Sequence, residues 1–340
     1  MSDTLPTATR VNDPGIRELY SQDSRWQAWL DVEAALARAQ EDLDIIPAGA
    51  AAAIAKGARL DLMDRARLHE GFQRTGHTLV PLVWELSRIV GEPYGGWVHW
   101  GATTQNITQT GDLLVLRRAH EIFLAQIGDI LGAMADLAER GADMVLPGRT
   151  HGQHAVPATF GYKVAVWNPK LCQDIIALAA DVRTQVPLAL EAMQTEHEAD
   201  RTMTLMMDAA EARACIATGD MLGRLAEVMR GLVLDPERMR RNLDLGGGLI
   251  MAEAVMLELG RTLGRQHAHD VVYDAAQAAF VEGRAFSDLL AADARVTAHL
   301  DGAGIRQLLD PVAYTGLCAE MAREGAERAR GLAKRLKGVS

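Results

Sequence analysis

The sequence predicts an all-α protein. Helix-forming Ala, Leu, Met, Glu and Arg dominate its 340 residues, whereas aromatic side chains account for only 5%. Apolar residues recur at roughly helical spacing, and the long alternating runs of β-branched and aromatic residues that indicate strands do not occur. A hydrophobic fraction of 49% in a chain of this length is enough to build a sizeable core without disulfides.

One long helix is predicted from about 106 to 140, and a second, antiparallel to it, from 155 onward. At ~1.5 Å per residue the first would span roughly 50 Å, which a globular monomer rarely needs. We therefore expect a helical bundle that is shared between subunits. Further along, Asp235-Pro236-Glu237 predicts a new helix start, and the glycine run 246–248 predicts a loop.

The charge balance argues against polyanionic partners. The chain has 35 basic and 45 acidic residues, a net charge of −10, so binding of nucleic acid through a basic face is not expected. Three widely spaced cysteines indicate free thiols in a reducing compartment, and we expect a cytoplasmic protein. The N-terminus lacks the apolar core of a signal peptide, and no apolar run approaches the ~18 residues of a membrane helix.

The ten histidines do not form a recognisable metal motif. There is no HExxH and no Cys/His cluster with zinc spacing. The pairs His151/His154 and His267/His269 have no obvious third ligand, and the glycine run 246–248 lacks the lysine and Ser/Thr of a phosphate loop. We therefore predict neither a metal nor another cofactor.

Two short polar segments are the candidates for chemistry. His99-Trp100-Gly101-Ala102-Thr103-Thr104-Gln105-Asn106 precedes the long helix, where hydroxyls, amides and free backbone N–H groups favour a bound carboxylate. By itself this segment is more typical of an ordinary helix cap without a ligand than of a binding site. Arg149-Thr150-His151-Gly152-Gln153-His154 is a polar loop that holds a titratable imidazole, and its glycine permits close backbone approach.

In this order and spacing, the two segments resemble the signature regions of a known superfamily. GATTQNITQT at 101–110 and RTHGQHAVPATFGYK at 149–163 are similar to the first two signatures of the fumarase/aspartase superfamily. That superfamily includes adenylosuccinate lyase, argininosuccinate lyase and 3-carboxy-cis,cis-muconate cycloisomerase. YSQDSRWQAWLDVEAALARAQ and GGGLIMAEAVMLELG also resemble it, and HWGATTQN and AVPATFG favour the cycloisomerase and adenylosuccinate lyase branch.

The resemblance implies three helical domains, with a central bundle that associates into a tetramer. On this sequence they would be an N-terminal domain at about 1–105, the bundle at about 106–240 and a C-terminal domain at about 241–340. Each active site would gather residues from three subunits. The implied reaction is an anti β-elimination on a small polycarboxylate, or its reverse, through an aci-carboxylate, and the family mechanism needs no metal.

Site residues follow from the same resemblance. His151 would be the proton donor or the group that steers it, and His77 would be a supporting histidine. The residues that would bind the carboxylates of the substrate are Thr103, Thr104, Gln105, Asn106, Thr150, Gln153 and Asn168.

The third signature of the superfamily is incomplete. It is a mobile loop rich in glycine and serine, in which a serine serves as the general base and a lysine helps bind the aci-carboxylate. Only its tail is present, as Asn168-Pro169-Lys170-Leu171-Cys172, and no serine occurs between Ser87 and Ser287. Gln173 stands where several members carry a glutamate that orients the histidine.

The junction of Trp167 and Asn168 is where that segment is missing, and it is also locally inconsistent. Residues 161–167 read as the middle of a helix with no stop signal, whereas Asn168-Pro169 reads as the cap and first residue of a new one. A proline kink in one long helix is the alternative explanation.

Three interpretations stay open at the level of sequence. The chain is a family enzyme that has lost a central segment, a catalytically inactive scaffold or binding protein of the same fold, or an active minimal enzyme with another base. All three predict an oligomer, because loss of bundle helices exposes apolar faces that need partners.

Overall fold

The computed structural model describes residues 13–166, 173–197 and 200–338. The helices and strands, in chain order, are α1 (Ile16–Leu19), α2 (Gln22–Asp42), α3 (Ala50–Gly57), α4 (Arg65–Thr75), α5 (Val80–Val90), α6 (Thr104–Arg140), β1 (Val145–Thr150), β2 (Gln153–Thr159), α7 (Phe160–Ala165), α8 (Gln173–Ala192), α9 (Arg201–Gly231), α10 (Pro236–Asp244), α11 (Ala252–Leu263), α12 (Arg265–Glu282), α13 (Phe286–Ala292), α14 (Ala294–Thr297), α15 (Gly302–Leu308) and α16 (Cys318–Lys337). The all-α prediction is confirmed, with one two-stranded sheet in the described residues.

The chain divides into two compact units, which are considered separately. The first comprises Met1–Gln126, Lys170–Leu225 and Val339–Ser340, and the second comprises Ile127–Pro169 and Ala226–Gly338. The three-domain division implied by the family resemblance stays a prediction.

The first unit is built on a helical core around α2. Ser21 caps this helix by accepting a hydrogen bond from the Ser24 amide, and its apolar face packs against α3, α4 and α5. The Trp26 ring stacks on Phe72 with centroids 5.2 Å apart. The core therefore fixes the position of α2, which in turn contacts the start of α6 through buried Ile107.

The guanidinium group of Arg25 connects three helices of the first unit. From α2 it donates two hydrogen bonds to Asp112 on α6, at 3.0 and 2.7 Å, and one to Asp208 on α9, at 2.9 Å. The indole N–H of Trp29 also donates to Asp112, at 3.2 Å. All three charged side chains are less than one-third exposed, so solvent screens these contacts only in part.

The second unit has its own core, centred on α11, α12 and α13, with Phe286 and Leu290 fully buried. The C-terminal helix α16 binds the end of α6 through the ion pairs of Arg330 with Asp136 and Glu139. The start of α7 also contacts the end of α6, because the Gly161 amide donates a hydrogen bond to the carbonyl oxygen of Gly141 at 2.7 Å.

The prediction of the first long helix is confirmed, but the prediction of the second is wrong. α6 runs for 37 residues, close to the predicted 106–140. The helix predicted from 155 onward is instead an antiparallel hairpin of β1 and β2 followed by the six-residue α7. Pro157 has no N–H to donate within a helix, and it is accommodated opposite Pro147 in the short ladder.

Two other local predictions are confirmed. The Asp235 carboxylate caps α10 by accepting from the Arg238 amide at 2.8 Å, and Pro236 is the first helical residue. In the predicted glycine loop, Gly247 and Gly248 have φ of 58° and 91°, a conformation that residues with a Cβ rarely adopt. None of the helices within the described ranges combines the length and apolar character needed to cross a bilayer.

Replacement of Arg25 by alanine should destabilise the first unit, because Asp112 and Asp208 would keep partly buried charges without a partner. We expect Arg25→Ala to lower the free energy of unfolding by about 2–3 kcal/mol, between the effects typical of exposed and of buried ion pairs. Urea denaturation followed by circular dichroism measures this change.

The control is Arg59→Ala, which removes an ion pair with Asp61 whose side chains are both about 60% exposed. Its cost should stay below about 1 kcal/mol. Equal losses from the two variants would contradict a special role for Arg25.

Candidate active site

The first predicted segment forms the N-terminal turn of α6. Thr104 begins the helix, and the Asn106 amide donates back to the Thr103 carbonyl oxygen at 3.0 Å. Thr103 and Asn106 are exposed, whereas Thr104 and Gln105 are half-buried. The first N–H groups of a helix have no acceptor within it and carry partial positive charge. This turn therefore offers amide and hydroxyl donors to an anion.

A cavity of about 430 Å³ opens beside this turn. Its polar wall is formed by Thr103, Asn106 and Thr110, and its apolar wall includes Val32 and Ile107. A recess with both polar donors and an apolar surface suits a small organic acid better than a free inorganic ion.

His77 caps a different helix of the same unit. Its Nδ1 accepts from the amides of Leu79 and Val80, at 3.1 and 3.4 Å, where α5 begins. Burial is the main cause that lowers the pKa of His77, and electrostatic interactions with Arg201 and His99 lower it further. The neutral imidazole, with its proton on Nε2, is therefore the form that the fold favours.

The second predicted segment is the turn of the hairpin in the second unit. Thr150 pairs with Gln153, so His151 and Gly152 form a two-residue turn with φ of 50° and 76°. Positive φ at both positions is the signature of a type I′ turn, and histidine tolerates it better than bulky residues do. Thr150, His151 and Gln153 are all exposed, and the His151 ring has no hydrogen-bond partner among the described residues.

The last predicted site residue, Asn168, and the predicted break in the chain both lie at the junction of Trp167 and Asn168. Asn168 lies outside the described residues, as does its junction with Trp167 and the suggested proline kink. On the near side of the junction, α7 ends at Ala165, and on the far side Gln173 begins α8. Within the described part of the chain, no group of three or more His, Cys, Asp or Glu side chains is arranged to hold a metal ion.

One polar pair was missed at the level of sequence. Nδ1 of His99 lies 2.6 Å from Oε1 of Glu33, a carboxylate that is only 2% exposed. His99 was noted as the first residue of the polar segment, but its partner lies 66 residues earlier on α2. No spacing rule connects such positions. A buried glutamate on an otherwise apolar helix face was the only available signal.

Comparison with known proteins identifies the family. A sequence model described as "Lyase" matches residues 8–209, and one described as "Adenylosuccinate lyase C-terminus" matches residues 248–324. The chain belongs to the fumarase/aspartase superfamily of lyases and cycloisomerases. The family prediction from the two polar segments is thereby confirmed.

Individual members of this superfamily are similar along most of the chain. Trans-aconitate decarboxylase 1 of Mycosarcoma maydis is 27% identical, over 94% of this chain and 88% of that protein. The N-acetyl-S-(2-succino)cysteine lyase of Enterococcus italicus is 28% identical, over 91% and 93%. The crystal structure of 3-carboxy-cis,cis-muconate lactonizing enzyme from Pseudomonas putida is 26% identical with a TM-score of 0.83, and the match covers 98% of this chain and 100% of that one.

The length of these alignments carries separate information. The match to the decarboxylase spans 443 positions, whereas this lyase-family chain has 340 residues. At least 103 positions of that alignment therefore have no residue in this chain.

Removal of the His77 side chain should destabilise the protein in a pH-dependent way. The pKa of His77 lies below its ordinary value of 6.5 in the folded state, so its contribution is present above pH 6.5 and is lost as the pH falls below it. We expect His77→Ala to cost about 1 kcal/mol at pH 7.5, as for other lost caps, and less at pH 5. Urea midpoints at both pH values measure the difference.

His267→Ala is the control, because this exposed histidine of α12 caps no helix. It should change the urea midpoint little at either pH. A cost of His77→Ala that stays constant or grows from pH 7.5 to pH 5 would contradict the neutral cap.

Proposed function

We propose that this lyase-family chain binds a small polycarboxylate and that its chemistry is anti β-elimination or the corresponding addition. The observation that carries the proposal is the lyase match over residues 8–209, which contains both polar segments. The donors at the start of α6, with the cavity beside them, support the same class of ligand.

The substrate class follows from the relatives' names. The three proteins compared above are named for trans-aconitate, a succinyl-cysteine derivative and 3-carboxymuconate. Each of these compounds carries two or more carboxylates. A chain with anion-binding backbone donors and an apolar recess suits such compounds, and a dicarboxylate such as fumarate is the simplest probe of the site.

The reaction requires charge stabilisation and two proton transfers. Removal of a proton next to a carboxylate places additional negative charge on that group, and preorganised donors lower the energy of this intermediate. We assign that role to Thr103, Thr104, Gln105 and Asn106, with Thr150, Gln153 and Asn168 as further carboxylate ligands. His151 is proposed to donate a proton to the leaving group, and His77 to act as a supporting residue.

Proton abstraction is the step that this chain is expected to perform poorly. The family's serine base belongs to the segment that we place between Trp167 and Asn168. An alignment with at least 103 positions that have no residue in this chain supports the loss of such a segment. We therefore propose that this chain retains the binding site for the carboxylate substrate but has lost the general base of the family. An inactive scaffold or binding protein is the limiting case, in which binding persists without turnover.

The proposal includes a homo-oligomer, a tetramer by family resemblance, with three domains per chain and a cytoplasmic location. Val186 and Leu190 on α8, with Met193 directly after its end, support an oligomer, because they are exposed apolar side chains three or four residues apart. Light scattering at micromolar concentration tests this, and a clean monomer would contradict it.

Replacement of Thr104 by valine should weaken binding of fumarate, because the variant keeps the shape but loses a hydroxyl donor. A hydrogen bond to a charged group is worth ~1.5–3 kcal/mol, so we expect the dissociation constant to rise by about tenfold or more. Isothermal titration calorimetry on the full chain measures it.

The matched control is Thr262→Val, which alters a helical threonine of α11 whose hydroxyl donates to the Leu259 carbonyl oxygen. Fumarate affinity should not change in this variant. Equal weakening in both variants would show that the site has been misplaced.

Restoration of the missing segment should restore turnover. Insertion of the corresponding helices and serine loop from a relative between Trp167 and Asn168 should raise the rate by orders of magnitude, because it supplies the absent base. In the grafted chain, His151→Ala should cost ~10²–10⁴-fold, as expected for general acid catalysis. The absorbance of unsaturated products, from fumarate-releasing and muconate substrates in parallel, measures the rate.

His267→Ala in the grafted chain is the control and should leave the rate unchanged. Two outcomes would refute the proposed loss of the base. One is turnover by the ungrafted chain with kcat of about 1–10³ per second, the ordinary enzymatic range. The other is a graft that folds and binds fumarate but stays inactive.

A further inference from the structure

The cavity beside the start of α6 has two walls of different chemistry. The polar wall belongs to the start of α6, whereas α2 contributes Val32, Ala35 and Leu36. These three residues are spaced by three and four positions from Val32, so they lie on one face of the helix. A ligand that binds the polar wall through a carboxylate can therefore place its remaining atoms against an apolar surface.

The cavity is larger than a simple dicarboxylate requires. Its volume is about 430 Å³, within the range of ~300–1,000 Å³ that is typical of cavities for drug-sized molecules. Fumarate is much smaller than such molecules, so space remains beside α2 when fumarate binds at α6. A substituent on the dicarboxylate would fill that space.

The α2 side of the cavity offers no partner to a charged group. Among the described residues, none of those that line the cavity carries a charge. A phosphate or sulfonate placed against Val32 and Leu36 would lose water without gaining a cationic partner, which is unfavourable. An uncharged hydrocarbon or thioether group in the same place would instead gain free energy from burial.

The core of the first unit holds this apolar wall in place. Val32 is 9% exposed and Ile107 only 3%, and both belong to the core cluster. Gln40, further along α2, donates a hydrogen bond to the Trp100 carbonyl oxygen at 2.7 Å, which ties the helix to the turn before α6. Because the surface exists before a ligand binds, binding of an apolar group requires little additional ordering of the protein.

Ala35 determines how deep the cavity is at this wall. Its side chain is exposed, whereas Val32 is buried and Leu36 packs in part against the core. Alanine favours the helix without filling the space beside it. A longer polar side chain at position 35 would occupy that space and would make the wall hydrophilic.

We propose that the substrate carries, in addition to its carboxylates, an uncharged apolar group that lies on α2 against Val32, Ala35 and Leu36. The substrate class is then a dicarboxylate with an alkyl or alkylthio substituent, and Ala35 is a specificity-determining residue. This inference rests on the proposed polycarboxylate site and defines the part of the ligand that the carboxylate donors do not contact.

A series of succinyl thioethers tests the proposal on the full chain. Isothermal titration calorimetry compares 2-(methylthio)succinate with 2-(butylthio)succinate. Burial of each added methylene is worth up to about fourfold in affinity, so the dissociation constant of the butyl compound should be lower by about tenfold or more. A 3-sulfopropylthio chain has a similar length but ends in a charge, and it should lose this gain.

Ala35→Gln should remove the advantage of the butyl compound while leaving the dissociation constants of fumarate and the methyl compound unchanged. The variant is expected to fold, because the replaced side chain is exposed and glutamine favours helix. The matched control is Ala52→Gln, which alters an exposed alanine of α3 that does not line the cavity. This control should preserve the preference for the butyl compound.

The outcomes distinguish this inference from the proposed function. If the unaltered chain binds neither fumarate nor the methyl compound, the polycarboxylate site itself is contradicted. If it binds both but gains nothing from the butyl chain, or gains as much from the sulfopropyl chain, only the apolar subsite is overturned. An equal preference for the butyl compound in Ala35→Gln and Ala52→Gln would also overturn it.

Discussion

The candidate carboxylate site depends on one guanidinium group. Arg25 binds Asp112 and Asp208, so α2, α6 and α9 are joined at a point where solvent has limited access. The planar guanidinium satisfies Asp112 with two parallel hydrogen bonds, a geometry that a lysine does not reproduce. Because Asp112 lies two turns into α6, this contact fixes the helix near its N-terminal end.

The contact of Arg25 with Asp112 also matters for anion binding at the start of α6. A helix N-terminus stabilises an anion only where its direction is fixed, since the favourable field falls off within the first turn. The core of the first unit holds α2, and α2 supplies both Arg25 and Glu33. One helix therefore holds the long helix through Arg25 and contacts the turn before it through Glu33 and His99.

The hairpin imposes a different constraint on His151. A two-residue turn with positive φ projects this side chain from the tip of β1 and β2 into solvent. An exposed imidazole is a poor general acid, because water competes with the substrate and weakens the local electrostatic interactions. The proposed role of His151 thus requires other groups to enclose it, and the family resemblance implies that neighbouring subunits supply them. The alignment with the decarboxylase adds that at least 103 of its positions have no residue in this chain.

The sequence by itself determined the helical class, the long helix α6 and the family. Helix propensity, the polar start at Thr104 and the Asp235-Pro236 pair are local signals, so they could be recognised without the fold. The lack of any serine between Ser87 and Ser287 is likewise read directly from the sequence, and the loss of the base that it indicates stays a prediction.

Tertiary structure decided the rest. A helix was predicted from 155 onward, but Val145 pairs with Thr159, and the Phe160 amide donates to the Met144 carbonyl oxygen. These hydrogen bonds link positions about 15 residues apart, so a local window does not contain them. The contact between Glu33 and His99 is even harder to predict from a local window, because the two residues are 66 positions apart. It exists because the core brings α2 beside the turn before α6, and it joins residues that no motif connects.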